Sequence, residues 1–279
     1  MTPVAPHPPL REFYAEPQQR EHFVRDLFDE SAPWYDWAIA FLSFGSGNWY
    51  RRQVLLRAGL EKGQRVLDIA TGTGVVARQA QKITPSVAGL DPSIGMLIAG
   101  REKAHIANVQ GKSERLPFRD ASFDLITIGF ALRHFADLEF VFAECARVLR
   151  PNGKLLILEI TAPRSRFGRV VLGAYMGGIV PALASLLTWR REVGKMLRYY
   201  WVTTRDCVPP DTILSAMQRA GFSDAERTVS IGIFSEYAGT AGDRVTPPAA
   251  RLAAVSREGD PSGSSGTREA TAPARAGSD

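Results

Sequence analysis

Residues 66–74 read Val66-Leu67-Asp68-Ile69-Ala70-Thr71-Gly72-Thr73-Gly74, and this stretch decides the fold. Residues 66–69 are mostly apolar and include two β-branched side chains, which is typical of a short buried strand. Glycines at 72 and 74 allow a sharp backbone turn and the close approach of a ligand. A helix is predicted from residue 75 onward. This order of strand, glycine turn and helix predicts an open α/β sheet that seats a nucleotide-containing ligand.

The charge of Asp68 bears on which ligand this is. A G-x-G-x-x-A loop can also hold a dinucleotide. The carboxylate would then lie beside the pyrophosphate and would repel it. It suits instead the ammonium or sulfonium-bearing end of S-adenosylmethionine (SAM). SAM is therefore the predicted cofactor, and a nicotinamide dinucleotide is the alternative.

Composition limits the class of protein. The chain has 279 residues, 45% of them hydrophobic, which is enough for one sizeable core. Its net charge of +5 is not gathered into basic blocks with interleaved aromatics, so no nucleic-acid partner is predicted. The two cysteines, Cys145 and Cys207, fit a reducing, cytoplasmic location, and no secretory signal is apparent. No metal site is predicted.

Strands and helices alternate after the glycine loop. Strands are predicted at 86–90, 107–110, 123–128 and 154–159, and this alternation predicts a parallel sheet with right-handed crossovers. A ligand should lie over the carboxyl ends of those strands. Five polar residues fall at such ends: Asp68, Asp91, Arg133, His134 and Glu159.

Asp91 follows the second predicted strand, 19 positions after Gly72. A carboxylate at this spacing is expected to bind a ribose diol, whichever nucleotide is present. The next helix opens with Ser93 as its predicted N-cap. Met96, one turn later, is predicted to lie against the adenine ring rather than in ordinary core.

The ends of the chain differ from its centre. A proline-rich flexible arm and a leading helix are predicted over residues 1–27. The main domain is predicted over 28–241, with a helical lid over 28–60 in which Pro33 begins a helix. Residues 242–279 contain no aromatic residue and are rich in Pro, Gly, Ser, Ala and Thr, so a disordered tail is predicted.

Residues 170–189 carry no charge and are flanked by arginines on both sides. A stretch of this length could span a bilayer. Its internal glycines and proline, and its place after the fifth strand, favour a broken helical lid over an apolar substrate, within an insertion at about 164–205. The arginines could rest on an anionic membrane surface, with peripheral contact through 164–198 at the inner face.

With these motifs placed, the chain resembles class I SAM-dependent methyltransferases. Within them it is similar to the ubiquinone/menaquinone C-methyltransferase group over roughly residues 28–240. The general motifs lie at 66–74, 89–96, 116–124 and 148–153. The narrower signature lies at 28–36, 43–45, 129–133 and 158–159.

The resemblance implies a Rossmann-like α/β fold: a seven-stranded mixed sheet whose last strand is antiparallel, with helices on both faces. It implies that Tyr35 closes over the methyl donor and that Arg133 lies on the substrate side. The predicted cofactor-binding residues are Asp68, Thr71, Gly72, Gly74, Asp91, Pro92, Met96, Ser113, Glu114 and Gly129.

Two positions depart from the family pattern. Lys112 stands where the family commonly has an acid that accepts a hydrogen bond from the adenine amino group, and lysine has donors only. Either Glu114 or the backbone near Ser113 replaces that acid, or SAM binds weakly. His134 stands where asparagine is usual. His134 could assist deprotonation of a substrate hydroxyl, as could Arg133 through a held water, or His134 could make a structural hydrogen bond.

The predicted function is SAM-dependent methylation of a ring carbon or hydroxyl of an apolar phenolic or quinone substrate. Two alternatives stay open. One is methylation of a soluble natural product, and the other is a SAM-fold binding protein without activity. The sequence is compatible with a homodimer in each of these cases.

Overall fold

The computed structural model describes residues 4–16, 19–43, 45–163 and 165–242. Over these residues seven strands form one sheet in the order β3-β2-β1-β4-β5-β7-β6. β7 runs antiparallel to both its neighbours, and the other adjacent pairs are parallel. The predicted seven-stranded mixed sheet is confirmed. The strands are β1 (Val66–Ile69), β2 (Val87–Asp91), β3 (Ala107–Gln110), β4 (Phe123–Gly129), β5 (Leu149–Ile160), β6 (Phe222–Ser230) and β7 (Phe234–Ala241).

Helices cover both faces of this sheet because its strands are apolar on both sides. Val66 packs in one hydrophobic cluster, whereas Leu67 and Ile69 pack in the other, as the two-residue period of a strand requires. The helices are α1 (Arg20–Leu42), α2 (Gly47–Arg57), α3 (Val75–Gln81), α4 (Ile94–Arg101), α5 (Leu138–Val148), α6 (Arg166–Ala174), α7 (Val180–Thr188), α8 (Arg191–Arg205) and α9 (Pro210–Arg219).

Helix α1 passes through Pro33 without a break, so the predicted helix start at Pro33 is wrong. Proline cannot donate a backbone hydrogen bond, which normally weakens a helix interior. Tertiary contacts keep α1 helical on both sides of Pro33. Ala32 and Ala38 are buried on either side of the proline, and the Asp29 carboxylate accepts hydrogen bonds from α4.

Residues 4–16 lie against the domain, which differs from the flexible arm that their composition predicts. The amide of Leu138 donates to the Val4 carbonyl over 3.0 Å, and that of Val208 donates to the Pro6 carbonyl over 2.8 Å. Leu10 and Tyr14 are buried. Backbone pairing and aromatic burial outweigh the local effect of the prolines.

The apolar insertion also differs from its prediction. Helices α6 and α7 join through a π-helical turn at Tyr175–Ile179 into one 23-residue helix, Arg166–Thr188, so the segment is not broken. The π turn accommodates the glycines without ending the helix. We call Arg166–Thr188 the apolar helix. It alone among the described helices is long and apolar enough to cross a membrane, and 22% of its most apolar window is buried.

Three features of the sequence prediction lie outside the described residues: Phe44, Arg164 and the predicted tail beyond Gly242.

Candidate active site

Asp68 is buried near the carboxyl end of β1. Its carboxylate accepts hydrogen bonds from the hydroxyls of Thr71 (2.7 Å) and Thr127 (2.6 Å). Burial raises the pKa of Asp68 to about 6, against these hydrogen bonds and the positive charge of Arg51, which favour the ionised form. A bound cation would favour ionisation further.

Asp91 ties the glycine loop to the second strand. It accepts the Gly72 amide over 2.7 Å and the Ser93 amide over 2.8 Å. Burial raises the pKa of Asp91 to about 6, although both amides favour its charged form. Because β1 and β2 are adjacent and parallel, the two carboxylates lie at the same edge of the sheet.

The loop glycine at 72 is required by its surroundings. Gly72 has a φ of +55°, and a Cβ there would lie 2.9 Å from Cε of Met96. Met96 is buried and packs under the loop. Its predicted contact with adenine stays a prediction.

Helix α1 is fastened over the glycine loop by two carboxylates of the 28–36 signature. Asp29 accepts from the Ser93 hydroxyl and, over 2.8 Å, from the Gly95 amide. Asp36 accepts from the Thr73 hydroxyl and pairs with Arg78. The acidic positions of this signature therefore hold the lid in place, a role that the sequence reading did not assign.

Two cavities adjoin the strand ends. The larger, of about 650 Å³, is lined by four predicted site residues: Pro92, Ser113, Glu114 and His134. The smaller, of about 20 Å³, is lined by Tyr35, Asp68, Thr71 and Gly129. Ala70 contributes to both walls. The remaining predicted residues line neither cavity: Gly72, Gly74, Asp91, Met96 and Arg133.

Lys112 lies at the wall of the larger cavity, where its ammonium pairs with Glu21 of α1 over 2.6 Å. Glu114, the predicted substitute for the missing acid, accepts from the Ser113 hydroxyl over 3.2 Å and from the Ala136 amide over 3.3 Å. These bonds hold the Glu114 carboxylate at the cavity wall.

Arg133 is fully buried in a polar network rather than facing the cavities. It forms an ion pair with Glu159, donates to Thr203 over 3.1 Å, and stacks 4.0 Å from the centre of the Tyr200 ring. Burial opposes its charge, but the Glu159 carboxylate and Tyr200 together outweigh burial and hold the pKa of Arg133 above its usual value. This ion pair joins the turn after β4 to β5.

His134 has no hydrogen-bond partner for either ring nitrogen among the described residues, and both nitrogens are buried. The structural hydrogen bond considered above is therefore not made. Its ring stacks on Tyr199 at 5.5 Å and meets the edge of Phe28 at 5.2 Å. Burial, and then the charge of Arg133, lower the pKa of His134 well below its usual value, so the imidazole is neutral near pH 7.

Arg51 is a site residue that the sequence reading missed. It is buried, lines the smaller cavity with Asp68 and lies 5.0 Å over the Phe130 ring. No spacing signal distinguishes it from its exposed neighbour Arg52.

The profile of the ubiE/COQ5 methyltransferase family matches residues 16–241. This chain belongs to that family. It is 33% identical over 230 residues to a ubiquinone/menaquinone biosynthesis C-methyltransferase of Geobacter sulfurreducens, covering 78% of this chain and 88% of the relative. It is 36% identical over 207 residues to a demethylmenaquinone methyltransferase of Thermotoga maritima, covering 73% and 89%.

Solved structures agree on the fold. A possible histamine N-methyltransferase of Thermotoga maritima matches with a TM-score of 0.56 and 20% identity, over 77% of this chain and 99% of that one. Phosphoethanolamine N-methyltransferase 2 of Haemonchus contortus, solved with SAM, matches with a TM-score of 0.56 and 19% identity, over 78% and 60%. The family member described here is a SAM-dependent methyltransferase.

The residues present fit SAM on physical grounds. Two buried carboxylates, Asp68 and Asp91, suit a ligand with cationic and hydroxyl groups. The positive φ of Gly72 favours glycine in the loop, and Ala70, two residues before it, lines both cavities.

SAM affinity is expected to fall as the pH is lowered from about 7.5 to about 5. Asp68 and Asp91 have pKa values of about 6, so below this pH they lose the charge that attracts the cation. Each fully protonated carboxylate should cost roughly tenfold in affinity. Calorimetric titration across this range measures the effect. SAM binding should be accompanied by a net release of protons.

S-adenosylhomocysteine, which lacks the sulfonium charge, is the matched control. Its affinity should fall less than that of SAM over the same range. Parallel losses for the two ligands would mean that the carboxylates act only on the ammonium and the ribose, which both ligands carry. No loss for either ligand would contradict the electrostatic role of these carboxylates.

Proposed function

We propose that this methyltransferase methylates a ring carbon of an apolar quinol, and that His134 accepts the proton of a ring hydroxyl. The observation that carries the proposal is the His134 imidazole: it is neutral, has no partner among the described residues, and lines the same cavity as Pro92 and Ser113. The names of the relatives, ubiquinone/menaquinone biosynthesis C-methyltransferase and demethylmenaquinone methyltransferase, support a quinone-like substrate.

The cofactor residues follow from the two cavities. The amino-acid end of SAM is assigned to the region of Asp68 and Thr71, where the smaller cavity of about 20 Å³ has to widen to receive it. The ribose is assigned to the end of β2, where Pro92, next to Asp91, lines the larger cavity, and the adenine to the wall formed by Ser113 and Glu114. When bound, SAM would supply an electrophilic methyl group, which a ring carbon takes while the sulfur keeps the electron pair of the broken bond. That ring carbon then loses its hydrogen as a proton, which restores the aromatic ring.

The chain's own contribution is positioning and proton transfer. Loss of the hydroxyl proton to His134 raises the electron density of the ring and makes its carbon a better nucleophile. Tyr35 lies at the smaller cavity, where it closes the lid over the donor side and excludes water. Arg133, which contacts neither cavity, acts by holding the backbone around His134 and Phe130.

Replacing His134 by phenylalanine is expected to lower kcat by about 100-fold while leaving the Kd for SAM within about threefold. The ring keeps its stacking on Tyr199 but loses both nitrogens, and general-base catalysis contributes roughly this factor. Steady-state rates with a reduced, prenylated naphthoquinol measure the effect. His105→Phe, which alters an exposed histidine, is the control.

An unchanged kcat for His134→Phe would exclude the histidine as the base. At the level of the cell, quinone pools with and without the protein should differ by one methyl group. An unchanged pool would count against a quinone substrate.

The apolar helix provides a surface for an anionic membrane, which is where a prenylated quinol resides. Its exposed side chains include Phe167, Leu186, Leu187 and, just beyond its end, Trp189. Arginines stand at both ends of this surface: Arg166 and Arg169 before it, and Arg190 and Arg191 after it. Apolar side chains flanked by cations match an interface with anionic headgroups.

The protein should therefore sediment with vesicles containing phosphatidylglycerol about tenfold more tightly than with pure phosphatidylcholine vesicles. The double variant Phe167→Ser/Leu187→Ser should lose most of this binding. Leu56→Ser, which alters an exposed leucine of α2, should not. A second copy of the chain could bury the same surface. A dimer that the double variant dissociates, without vesicle binding by the wild type, would overturn the membrane proposal.

A further inference from the structure

Residues 4–16 meet helix α8 beside His134. Phe13 contacts the Tyr199 ring edge-on at 5.2 Å, and Tyr199 stacks on His134. Phe23 of α1 packs against both Phe13 and Tyr199. The family profile begins at residue 16, so nearly all of this N-terminal segment precedes the part of the chain that the profile matches.

Buried polar atoms without partners gather at this meeting point. Tyr199 is 0% exposed and Tyr14 is 4% exposed, yet neither hydroxyl has a hydrogen-bond partner among the described residues. Four more atoms are buried without a hydrogen-bond partner among the described residues: Nε of Arg20, Nε2 of His7 and both ring nitrogens of His134. Buried polar groups are normally paired, so several of them together indicate a ligand. Arg20 and His134 also line the larger cavity, which gives a ligand access.

This group of buried polar atoms is rich in hydrogen-bond donors and contains a positive charge. Arg20 donates through Nη2 to the Arg133 carbonyl over 2.7 Å, and its Nε–H remains available. The Tyr199 hydroxyl lies near the Arg20 guanidinium without reaching hydrogen-bond geometry. His7 bonds the Pro8 carbonyl through Nδ1, and burial lowers the pKa of His7 to about 4, so it is neutral.

Among the described residues of this group, Arg20 makes no ion pair with an acidic side chain. Arg133 is neutralised by Glu159, and Glu21 is paired with Lys112. Other charged groups nearby are Asp206, which acts on His7, and Arg25 and Glu114, which also line the larger cavity. A cation with two hydroxyl groups and an imidazole beside it suits an anionic oxygen.

We propose that Arg20, Tyr199 and His134 form a recess that binds an anionic oxygen on the aromatic ring of the substrate, either a ring oxyanion or a ring carboxylate. The inference rests on the proposed function in one respect, that this ring is the methyl acceptor. Arg20 and Tyr199 donate to the oxygen, and the rings of Phe28 and Tyr199 pack against the His134 ring.

Binding of small aromatic pairs tests the recess without turnover. Naphthoate is compared with naphthamide, and a hydroxynaphthoquinone anion with its neutral methyl ether, by calorimetry on the full chain. The anionic member of each pair should bind about tenfold more tightly, which corresponds to about 1.4 kcal/mol. The naphthoate arm reports a carboxylate and the hydroxynaphthoquinone arm a ring oxyanion.

Three variants locate the effect. Arg20→Gln should remove the preference for the anion, and Tyr199→Phe, which keeps the ring, should reduce it about threefold. Arg11→Gln removes the same charge from an exposed position in the N-terminal segment, residues 4–16, and should leave the preference for the anion intact. Circular dichroism and thermal melting check that each variant is folded.

Equal affinities for both members of each pair, or equal losses for Arg20→Gln and Arg11→Gln, would overturn the proposal. The two proposals fail separately. If the protein prefers the anionic ligands but turns over no quinol, the anion-binding recess is supported and the quinol substrate is refuted. If it turns over a quinol but shows no preference for the anionic ligands, the quinol substrate is supported and the recess is refuted.

Discussion

Replacing Asp91 by alanine is expected to weaken SAM binding at least about 100-fold. The carboxylate accepts the amides of Gly72 and Ser93, so its loss leaves two buried donors without a partner and releases the glycine loop. The proposed hydrogen bonds from the ribose hydroxyls would be lost as well. A hydrogen bond to a buried charge contributes about 1.5–3 kcal/mol, so loss of two such bonds accounts for a factor of this size. Calorimetry with SAM measures the change.

Asp124→Ala is the matched control. Asp124 also accepts a backbone amide, that of Arg65 over 2.7 Å, but it lies near the amino end of β4, away from the cavities. Its replacement should leave the Kd for SAM within about twofold of the wild type. If Asp91→Ala retains wild-type affinity, the cofactor does not lie over β2.

The second large effect is expected at the buried pair of Arg133 and Glu159. Glu159→Gln should lower the free energy of unfolding by about 3–5 kcal/mol, because it leaves the Arg133 guanidinium buried without its counter-charge. Glu159 also accepts the Leu132 amide over 2.9 Å, so the turn that carries His134 should loosen. Denaturant unfolding gives the stability, and kcat with the quinol gives the consequence for catalysis.

A surface pair supplies the comparison. Arg205→Gln breaks the contact with Asp206, in which the arginine side chain is 53% exposed, and should cost less than about 1 kcal/mol. The double variant Arg133→Met/Glu159→Met separates folding from catalysis, since an apolar pair removes both buried charges. Recovered stability with low kcat supports a positioning role, whereas recovery of both would show that the pair serves only the fold.

The framework of the fold could be predicted because it depends on local patterns. The β1 strand, its glycine loop and Asp91 follow from apolar runs, turn residues and a spacing of 19 positions. The seven-stranded sheet and its antiparallel last strand, β7, followed from the resemblance to a family.

The errors came where tertiary contacts override local preference. Pro33 lies within a helix because Asp29 and the flanking alanines hold it there. Residues 4–16 are packed because Val4 and Pro6 find backbone partners in distant parts of the chain. Neither partner can be inferred from the composition of the segment.

The site was predictable in its residue types and less so in its geometry. The sequence places Arg133 and His134 side by side at the end of β4, but only the fold separates their roles. Arg133 turns into the core toward Glu159, and His134 faces the cavity. The contributions of Arg20, Arg51 and Tyr199 depend on helices that meet the sheet from elsewhere in the chain, and no sequence pattern reports such a meeting.

Mass spectrometry with SAM that carries a deuterated methyl group tests the central claim most directly. The protein is incubated with this SAM and a reduced, prenylated naphthoquinol, and the product is fragmented to locate the label. We expect one labelled methyl group on a ring carbon, with one S-adenosylhomocysteine formed for each product molecule. A label on oxygen, or bound SAM that transfers nothing to the quinol, would contradict methylation of a quinol ring carbon.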